Sequence, residues 1–191
     1  MNVRTILLAG LVMASVLTAC KDKKNTDSNI ITTDYQAPQL VPPIPMAADT
    51  QVTDVEWVGN NTYQVAVIRT PADSLPTVSD QLGQEYIDNV VRITVNRPDG
   101  TTFFARTFGK ASFNNWLDAD YRQSAILESV TFYGSDQQKL LFTASVNHPC
   151  ATDDEAINLL VTVDKGGGVD IAPFDDDQRD DILVNQQSSD H

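Results

Sequence analysis

The sequence has few of the side chains that build metal sites, disulfide frameworks and nucleic-acid interfaces. Its 191 residues include only 2 Cys and 2 His, and 13 Lys and Arg stand against 26 Asp and Glu, for a net charge of −13. Two Cys exclude a disulfide-dense scaffold, and two His exclude a His-rich metal cage. Phosphate recognition relies on clustered Lys and Arg, so the acidic excess predicts no nucleic-acid partner.

Long hydrophobic runs are also scarce, and the notable one stands at the N-terminus. Arg4 precedes an apolar run over residues 6–17, which has the length of a signal-peptide core and is short for a membrane span. The run ends in Leu17-Thr18-Ala19-Cys20, which resembles the lipobox of bacterial lipoprotein precursors. The alternatives are an ordinary secretory signal with a chance Cys, or a poor transmembrane helix.

The lipobox resemblance implies a location. It implies cleavage before Cys20 and acyl chains on the new N-terminal residue, so that lipid on Cys20 attaches the protein to a membrane. Lys21 stands where inner-membrane-retained lipoproteins of enterobacterial type carry Asp, which implies an outer-membrane lipoprotein of the cell envelope. The sequence does not decide between a periplasmic and a surface-facing orientation.

The chain divides into four segments by composition. Residues 1–19 are the predicted signal peptide, and residues 20–50 carry the lipidated Cys and a polar, then Pro-rich tether. Residues 51–184 are predicted to form a single β-rich domain, and residues 185–191 a polar tail. A Pro-rich ligand for a partner domain is the alternative interpretation of the tether.

Apolar residues alternate with polar ones through most of the predicted domain, which is the period of half-buried strands. About eight strands joined mostly by short loops predict a mainly β fold, either an antiparallel β-sandwich or a small open barrel. One short helix is predicted over residues 112–118, because Ser112 is a good N-cap and Phe113, Trp116 and Leu117 share one helical face.

His148-Pro149-Cys150 is the constellation most suggestive of catalysis. A Cys nucleophile needs a His that lowers its pKa and a third group that orients the His. The spacing matches no known catalytic pattern, so the sequence favours a loop with a satisfied His148 and a packed, inert Cys150. No catalytic residue is therefore predicted.

Two further motifs suggest ligands only weakly. Asp175, Asp176, Asp177 and Asp180 form an acidic cluster that suits Ca²⁺, yet they lack the spacing of an EF-hand and fit a solvated face better, as do Asp153-Asp154-Glu155. Gly166-Gly167-Gly168 is predicted to be a hairpin turn, since no phosphate-loop Lys follows it. We therefore predict no cofactor and no metal.

Surface residues supply the remaining candidates. Asp73-Ser74-Leu75 resembles the acceptor motif of Bacteroidetes-type protein O-glycosylation, which implies modification of Ser74. Exposed aromatic residues can bind a glycan, although most aromatics in a small domain are needed for its core. The candidates are Trp57, Tyr63, Tyr121 and Tyr133.

The lipobox, the tether and the stretch from Asp99-Gly100 through Phe108, Phe113 and Trp116-Leu117 together resemble small Bacteroidetes lipoproteins of a family with no assigned function. The resemblance implies an envelope location and a β-rich fold, and assigns no catalytic residue. We expect a non-enzymatic, lipid-anchored binding or structural domain with an envelope protein or glycan as its partner. The alternatives are an envelope glycan hydrolase that uses Asp or Glu, and a carrier of small apolar ligands.

Overall fold

Alternating apolar residues form two four-stranded sheets and a small third sheet. The computed structural model describes residues 41–136 and 138–174. In chain order, the strands are β1 Ile44–Pro45, β2 Asp49–Trp57, β3 Asn61–Pro71, β4 Val78–Ser79, β5 Glu85–Ile87, β6 Asn89–Asn96, β7 Thr102–Gly109, β8 Ile126–Ser135, β9 Lys139–Asn147, β10 Ile157–Asp164 and β11 Val169–Pro173.

The N-terminal sheet has the strand order β2-β3-β6-β7, with every neighbouring pair antiparallel. Strands β6 and β7 form a hairpin, in whose turn the Gly100 N–H donates to the Arg97 carbonyl at 2.9 Å. Gly100 has φ +82°, a conformation that favours glycine, as the Pro-Asp-Gly pattern predicts.

The C-terminal sheet has the strand order β11-β10-β9-β8 and is also antiparallel. The β10–β11 turn contains Gly166-Gly167-Gly168, which confirms the predicted hairpin. The carboxylate of Asp164 accepts hydrogen bonds from the N–H groups of Gly166 and Gly168 at 2.7 and 2.8 Å. These two N–H groups are therefore engaged within the turn and are not available to bind a phosphate.

The core lies between the two large sheets. Strand β8 approaches β2, β3 and β6, and the inward-facing residues of both sheets form one continuous apolar cluster. The described strands form no closed barrel, so of the two predicted architectures the β-sandwich is the one observed. The largest completely buried side chains are Phe108, Phe113, Phe142, Ile93 and Leu117.

The small sheet, with the order β1-β5-β4, was not predicted. Its β1–β5 pair is parallel, whereas β4 and β5 are antiparallel. Strand β1 comes from the segment assigned to the tether, and β4 is a two-residue strand in the connection between β3 and β6. Two- and three-residue strands leave no usable alternation in the sequence, because the pattern needs at least four residues to be distinguished.

The short helix lies later than predicted. Residues Lys110–Phe113 form a 3₁₀ turn, and the α-helix, α1, spans Ala119–Ser124. The prediction over 112–118 was wrong in position because Asp118 is extended and caps a new helix, accepting the Tyr121 N–H at 2.9 Å. As a result, Phe113 and Leu117 are buried, whereas Trp116 is 42 % exposed.

In the described part of the chain, no helix is long and apolar enough to cross a membrane.

A buried carboxylate links the two large sheets. Asp88, just before β6, accepts hydrogen bonds from the N–H groups of Leu127 in β8 and of Asn89 at 2.8 and 2.7 Å. The Lys110 ammonium lies 3.9 Å away and donates to the Ala125 carbonyl. Burial lowers the pKa of Lys110, and the Asp88 carboxylate partly offsets that effect. This polar group therefore joins the start of β6 to the start of β8.

Candidate functional site

A surface cleft of about 630 Å³ opens where two loops and α1 converge. One wall is the β4–β5 loop, another is α1, and the third is the segment that follows β9. The lining contains three carboxyl side chains and no Lys or Arg. The lining residues are Ser79, Asp80, Gln81, Leu82, Asp120, Ser124, His148, Pro149, Cys150, Ala151 and Glu155. We refer to this as the acidic cleft.

The turn after β9 positions His148 and Cys150 in the cleft. The Ala151 N–H donates to the His148 carbonyl at 3.2 Å, which closes a four-residue turn with Pro149 second and Cys150 third. Cys150 has φ +62°, and Pro at the second position with positive φ at the third is typical of a type II turn. The side-chain amide of Asn147, which precedes the turn, donates to the Thr152 carbonyl at 3.0 Å and stabilises the turn.

The side chain of His148 faces α1. Its Nε2 lies 3.1 Å from Oδ2 of Asp120, and its ring centroid is 4.3 Å from that of Tyr121. The Tyr121 hydroxyl donates to the Glu155 carbonyl. Burial, followed by the negative charges of nearby carboxylates, raises the pKa of Tyr121. The imidazole is thus held between a carboxylate and a neutral phenol.

The thiol of Cys150 faces a different partner. Its Sγ lies 3.1 Å from the hydroxyl oxygen of Tyr86 in β5, and that hydroxyl is 3.2 Å from Oδ2 of Asp80. The hydrogen bond with Cys150, then desolvation and the neighbouring negative charges, raise the pKa of Tyr86 to about 12. The Tyr86 hydroxyl therefore stays protonated at neutral pH and donates a hydrogen bond to Asp80.

This arrangement does not form a thiol nucleophile with its base. Nε2 of His148 is directed at Asp120, and none of the hydrogen bonds in residues 41–136 and 138–174 joins His148 to Cys150. Cys150 is nevertheless exposed, so the expectation of a packed thiol was wrong. The positive φ of a turn at the domain surface directs the thiol outwards instead of into the core.

A second, smaller cleft of about 220 Å³ borders the same turn. Residues 148–151 line both clefts, and the smaller one has a predominantly aliphatic wall. We refer to it as the apolar cleft, and its other lining residues are Ile44, Pro45, Met46, Tyr86, Ile126, Glu128 and Asn147. Strand β1, which the sequence analysis missed, thereby contributes to the site.

The other predicted site residues are scattered. Ser74 is exposed in the β3–β4 loop, as its motif requires. Cys20 and the acidic residues Asp175, Asp176, Asp177 and Asp180 lie outside the described residues. Within the described ranges, no three His, Cys, Asp or Glu side chains are grouped so as to hold a metal.

The proposed aromatic platform is not formed. Trp57 and Tyr63 are 5 % and 9 % exposed and pack edge to face at 5.4 Å, so they belong to the core. Tyr121 stacks near His148, and Tyr133 packs against Phe174 at 5.4 Å. Trp57 and Tyr63 occupy inward-facing positions of β2 and β3, as the two-residue period of these strands requires.

Sequence reasoning missed Asp80, Tyr86 and Asp120 as members of the site. Each lies in a segment with no chemical motif, and Tyr86 is 64 residues from the thiol that it contacts. The one local signal was His148-Pro149-Cys150. Its sequence suggested a Cys nucleophile, whereas in the structure the same turn lines both clefts.

Comparison with known proteins identifies a family and no activity. No curated protein matches this sequence. A family model described as a domain of unknown function, DUF4738, matches residues 28–171, about three quarters of the chain. The match agrees with the expected resemblance to a family without an assigned function. The protein with this two-cleft β-sandwich belongs to the DUF4738 family.

Proposed function

We propose that this protein is a lipid-anchored component of the bacterial cell envelope whose β-sandwich binds a ligand without chemically transforming it. The anchor is supported by the order of Arg4, the apolar run 6–17 and the lipobox that ends at Cys20. Two or three acyl chains bury enough methylene groups, at about 0.8 kcal/mol each, for stable membrane attachment. The tether then separates the sandwich from the membrane.

The acidic cleft is the observation that carries the binding function. Its volume of about 630 Å³ lies within the usual range of ligand sites. Its ionisable groups are occupied in ways that suit binding: Asp120 pairs with His148, and Asp80 accepts hydrogen bonds from Leu82, Gln84 and Tyr86. Groups engaged in this way hold the lining of the cleft in a fixed shape, which favours binding.

The anchor is tested by fractionating cells that express the full chain. Wild-type protein is expected in the membrane fraction, and Cys20→Ala is expected to leave it or to accumulate as the uncleaved precursor. Cys150→Ala removes the other Cys and is the matched control, with unchanged fractionation expected. Equal membrane association of wild type and Cys20→Ala would refute the lipid anchor.

A glycan hydrolase is the second candidate, since Asp120 and Glu155 line the same cleft. Glycosidases use two carboxyl groups on opposite sides of the scissile bond. Incubating the full chain with a panel of envelope glycans and peptides separates the two candidates. Turnover that is lost in Asp120→Asn and in Glu155→Gln would favour the hydrolase and overturn the non-enzymatic proposal.

The third candidate, a carrier of small apolar ligands, has less support. A carrier needs an apolar cavity of at least a few hundred Å³. The larger cleft has a polar and acidic lining, and the apolar cleft measures about 220 Å³. The space between the large sheets is occupied by aromatic and aliphatic side chains such as Phe108 and Phe142.

We extend the proposal to Ser74 as an O-glycosylation site. Its Asp73-Ser74-Leu75 motif is in the loop between β3 and β4, and both Asp73 and Ser74 are exposed. A glycan there would extend into solvent without displacing a core side chain.

A further inference from the structure

The acidic cleft has a one-sided charge distribution. Asp80, Asp120 and Glu155 come from three separate elements and line one cleft. The lining residues include no Lys or Arg, and the one His among them, His148, lies against Asp120. The Asp120 side chain is 72 % exposed, so its charge is available to a ligand as well as to His148. Low-dielectric walls around charges of one sign concentrate their field in the cleft. This favours a cationic group and disfavours phosphates and carboxylates.

The neighbouring surface is apolar. Ile44, Met46 and Ile126 line the apolar cleft, which shares residues 148–151 with the acidic cleft. Ile44 is 39 % exposed, and Leu82, which lines the acidic cleft, is 81 % exposed. A ligand that reaches both clefts would bury this aliphatic surface, which would contribute to its affinity. A ligand that fills both clefts therefore needs a cationic part adjoining an aliphatic part.

We propose that the two clefts together bind a basic, amphipathic peptide segment of a partner protein, with a Lys or Arg side chain in the acidic cleft and an aliphatic side chain in the apolar cleft. This proposal rests on the proposed binding function and names its ligand class. A free polyamine would satisfy the carboxylates and leave the apolar cleft empty. An acidic or phosphorylated segment would meet four carboxylates, including Glu128 of the apolar cleft.

The thiol of Cys150 provides a built-in reporter, because it is exposed and lines both clefts. A displayed library of random short peptides is selected against the full chain, and the selected peptides are synthesised. Occupancy is followed by the rate at which iodoacetamide alkylates Cys150, measured by mass spectrometry of the peptide that contains it. Selected sequences are expected to contain Lys or Arg next to an aliphatic residue and to slow alkylation several-fold.

Variants connect binding to the charges. The double variant Asp120→Asn/Glu155→Gln is expected to weaken binding of the selected peptides by about tenfold, roughly 1.4 kcal/mol. Asp54→Asn/Asp170→Asn makes the same change in net charge at exposed positions on β2 and β11, and is expected to leave the affinity within about twofold of wild type. Ile44→Ser tests the apolar contact, and thermal unfolding verifies that each variant is folded.

The outcomes separate this proposal from the proposed function. Selection of acidic or uncharged peptides, or basic peptides that bind both double variants equally, would overturn the basic-peptide proposal. If a soluble glycan slows the alkylation of Cys150 and no peptide does, the proposed binding function stands and the proposed peptide ligand is wrong. If neither peptides nor glycans slow alkylation, both proposals fail.

Discussion

The hydroxyl oxygen of Tyr86 lies 3.1 Å from Sγ of Cys150, although 64 residues separate them in the chain. This contact joins the small sheet to the turn after β9; Tyr86 lines the apolar cleft and Cys150 lines both clefts. Asp80 extends the contact by accepting from the same hydroxyl at 3.2 Å. The thiol on one side of the phenol and the carboxylate on the other explain the raised pKa of Tyr86.

The phenol of Tyr86 is predicted to ionise near pH 12. Subtracting the absorbance titration of Tyr86→Phe from that of wild type isolates this group from the other tyrosines. An unfolded tyrosine ionises near pH 10, so the folded state retains a proton that the unfolded state loses. This contribution to stability is therefore complete below about pH 10 and is lost as the pH rises towards 12.

Removing the thiol tests the cause of that shift. Cys150→Ala deletes the largest contribution, so the difference titration should move towards pH 10. A midpoint near 10 already in the wild type would show that the Tyr86–Cys150 contact does not form in solution.

Asp88→Asn is predicted to destabilise the sandwich by about 3 kcal/mol. Both backbone N–H groups donate to Oδ1 of Asp88, and the amide oxygen of Asn can still accept from them. The amide NH₂ would then replace Oδ2, so the Lys110 ammonium would lose its buried counter-charge and face a donor. Urea unfolding measures the change, and Asp54→Asn, exposed on β2, is the matched control with a change below about 0.5 kcal/mol. Equal stability of the two variants would contradict the proposed link between the sheets.

Asp120→Asn is predicted to cost less than about 1 kcal/mol of stability, because its contact with His148 is largely exposed to solvent. Chemical denaturation of the variant checks this value. A cost of several kcal/mol would mean that the pair is structural, and Asp120 would then be unsuitable as a probe of binding.

The turn at Cys150 is predicted to tolerate Gly and to reject β-branched residues. At φ +62°, Gly has no steric penalty, whereas a β-branched side chain is a severe outlier. Relative to Cys150→Ala, we expect Cys150→Gly to be within about 1 kcal/mol and Cys150→Val to be less stable by about 1–2 kcal/mol. Thermal unfolding of the three variants gives the order, and a Val variant as stable as the Gly variant would argue against the left-handed turn.

Glycosylation of Ser74 is predicted to add the mass of a glycan to the protein isolated from its natural host. Intact mass spectrometry should show this increment in wild type and its loss in Ser74→Ala. Ser79→Ala, a neighbouring exposed Ser outside the motif, is the control and should keep the increment. Equal masses for wild type and Ser74→Ala, after allowance for the substitution itself, would contradict the modification.

Local patterns predicted the strands well and the helix less well. The alternation of Ile157, Leu159, Val161 and Val163 predicted β10, and Pro98-Asp99-Gly100 predicted the β6–β7 hairpin. The helix begins later than predicted because Asp118 is its N-cap. The Tyr121 N–H donates to the Asp118 side chain, and the Arg122 N–H donates to the Asp118 carbonyl. When several capping residues stand close together, tertiary packing of Phe113 and Leu117 decides among them.

The amino-acid sequence by itself determined the two-residue burial period, the positions of the tight turns and the β-rich class, because these depend on side chains a few residues apart. Only the tertiary structure decided that Asp80, Tyr86, Asp120 and Cys150 surround one site, since their proximity depends on which strands pair and how the sheets pack. The same packing covered the face of β2 and β3 that carries Trp57 and Tyr63, which are therefore buried in the core. Local periodicity specifies which face of a strand is buried, whereas strand pairing and sheet packing specify which distant side chains meet.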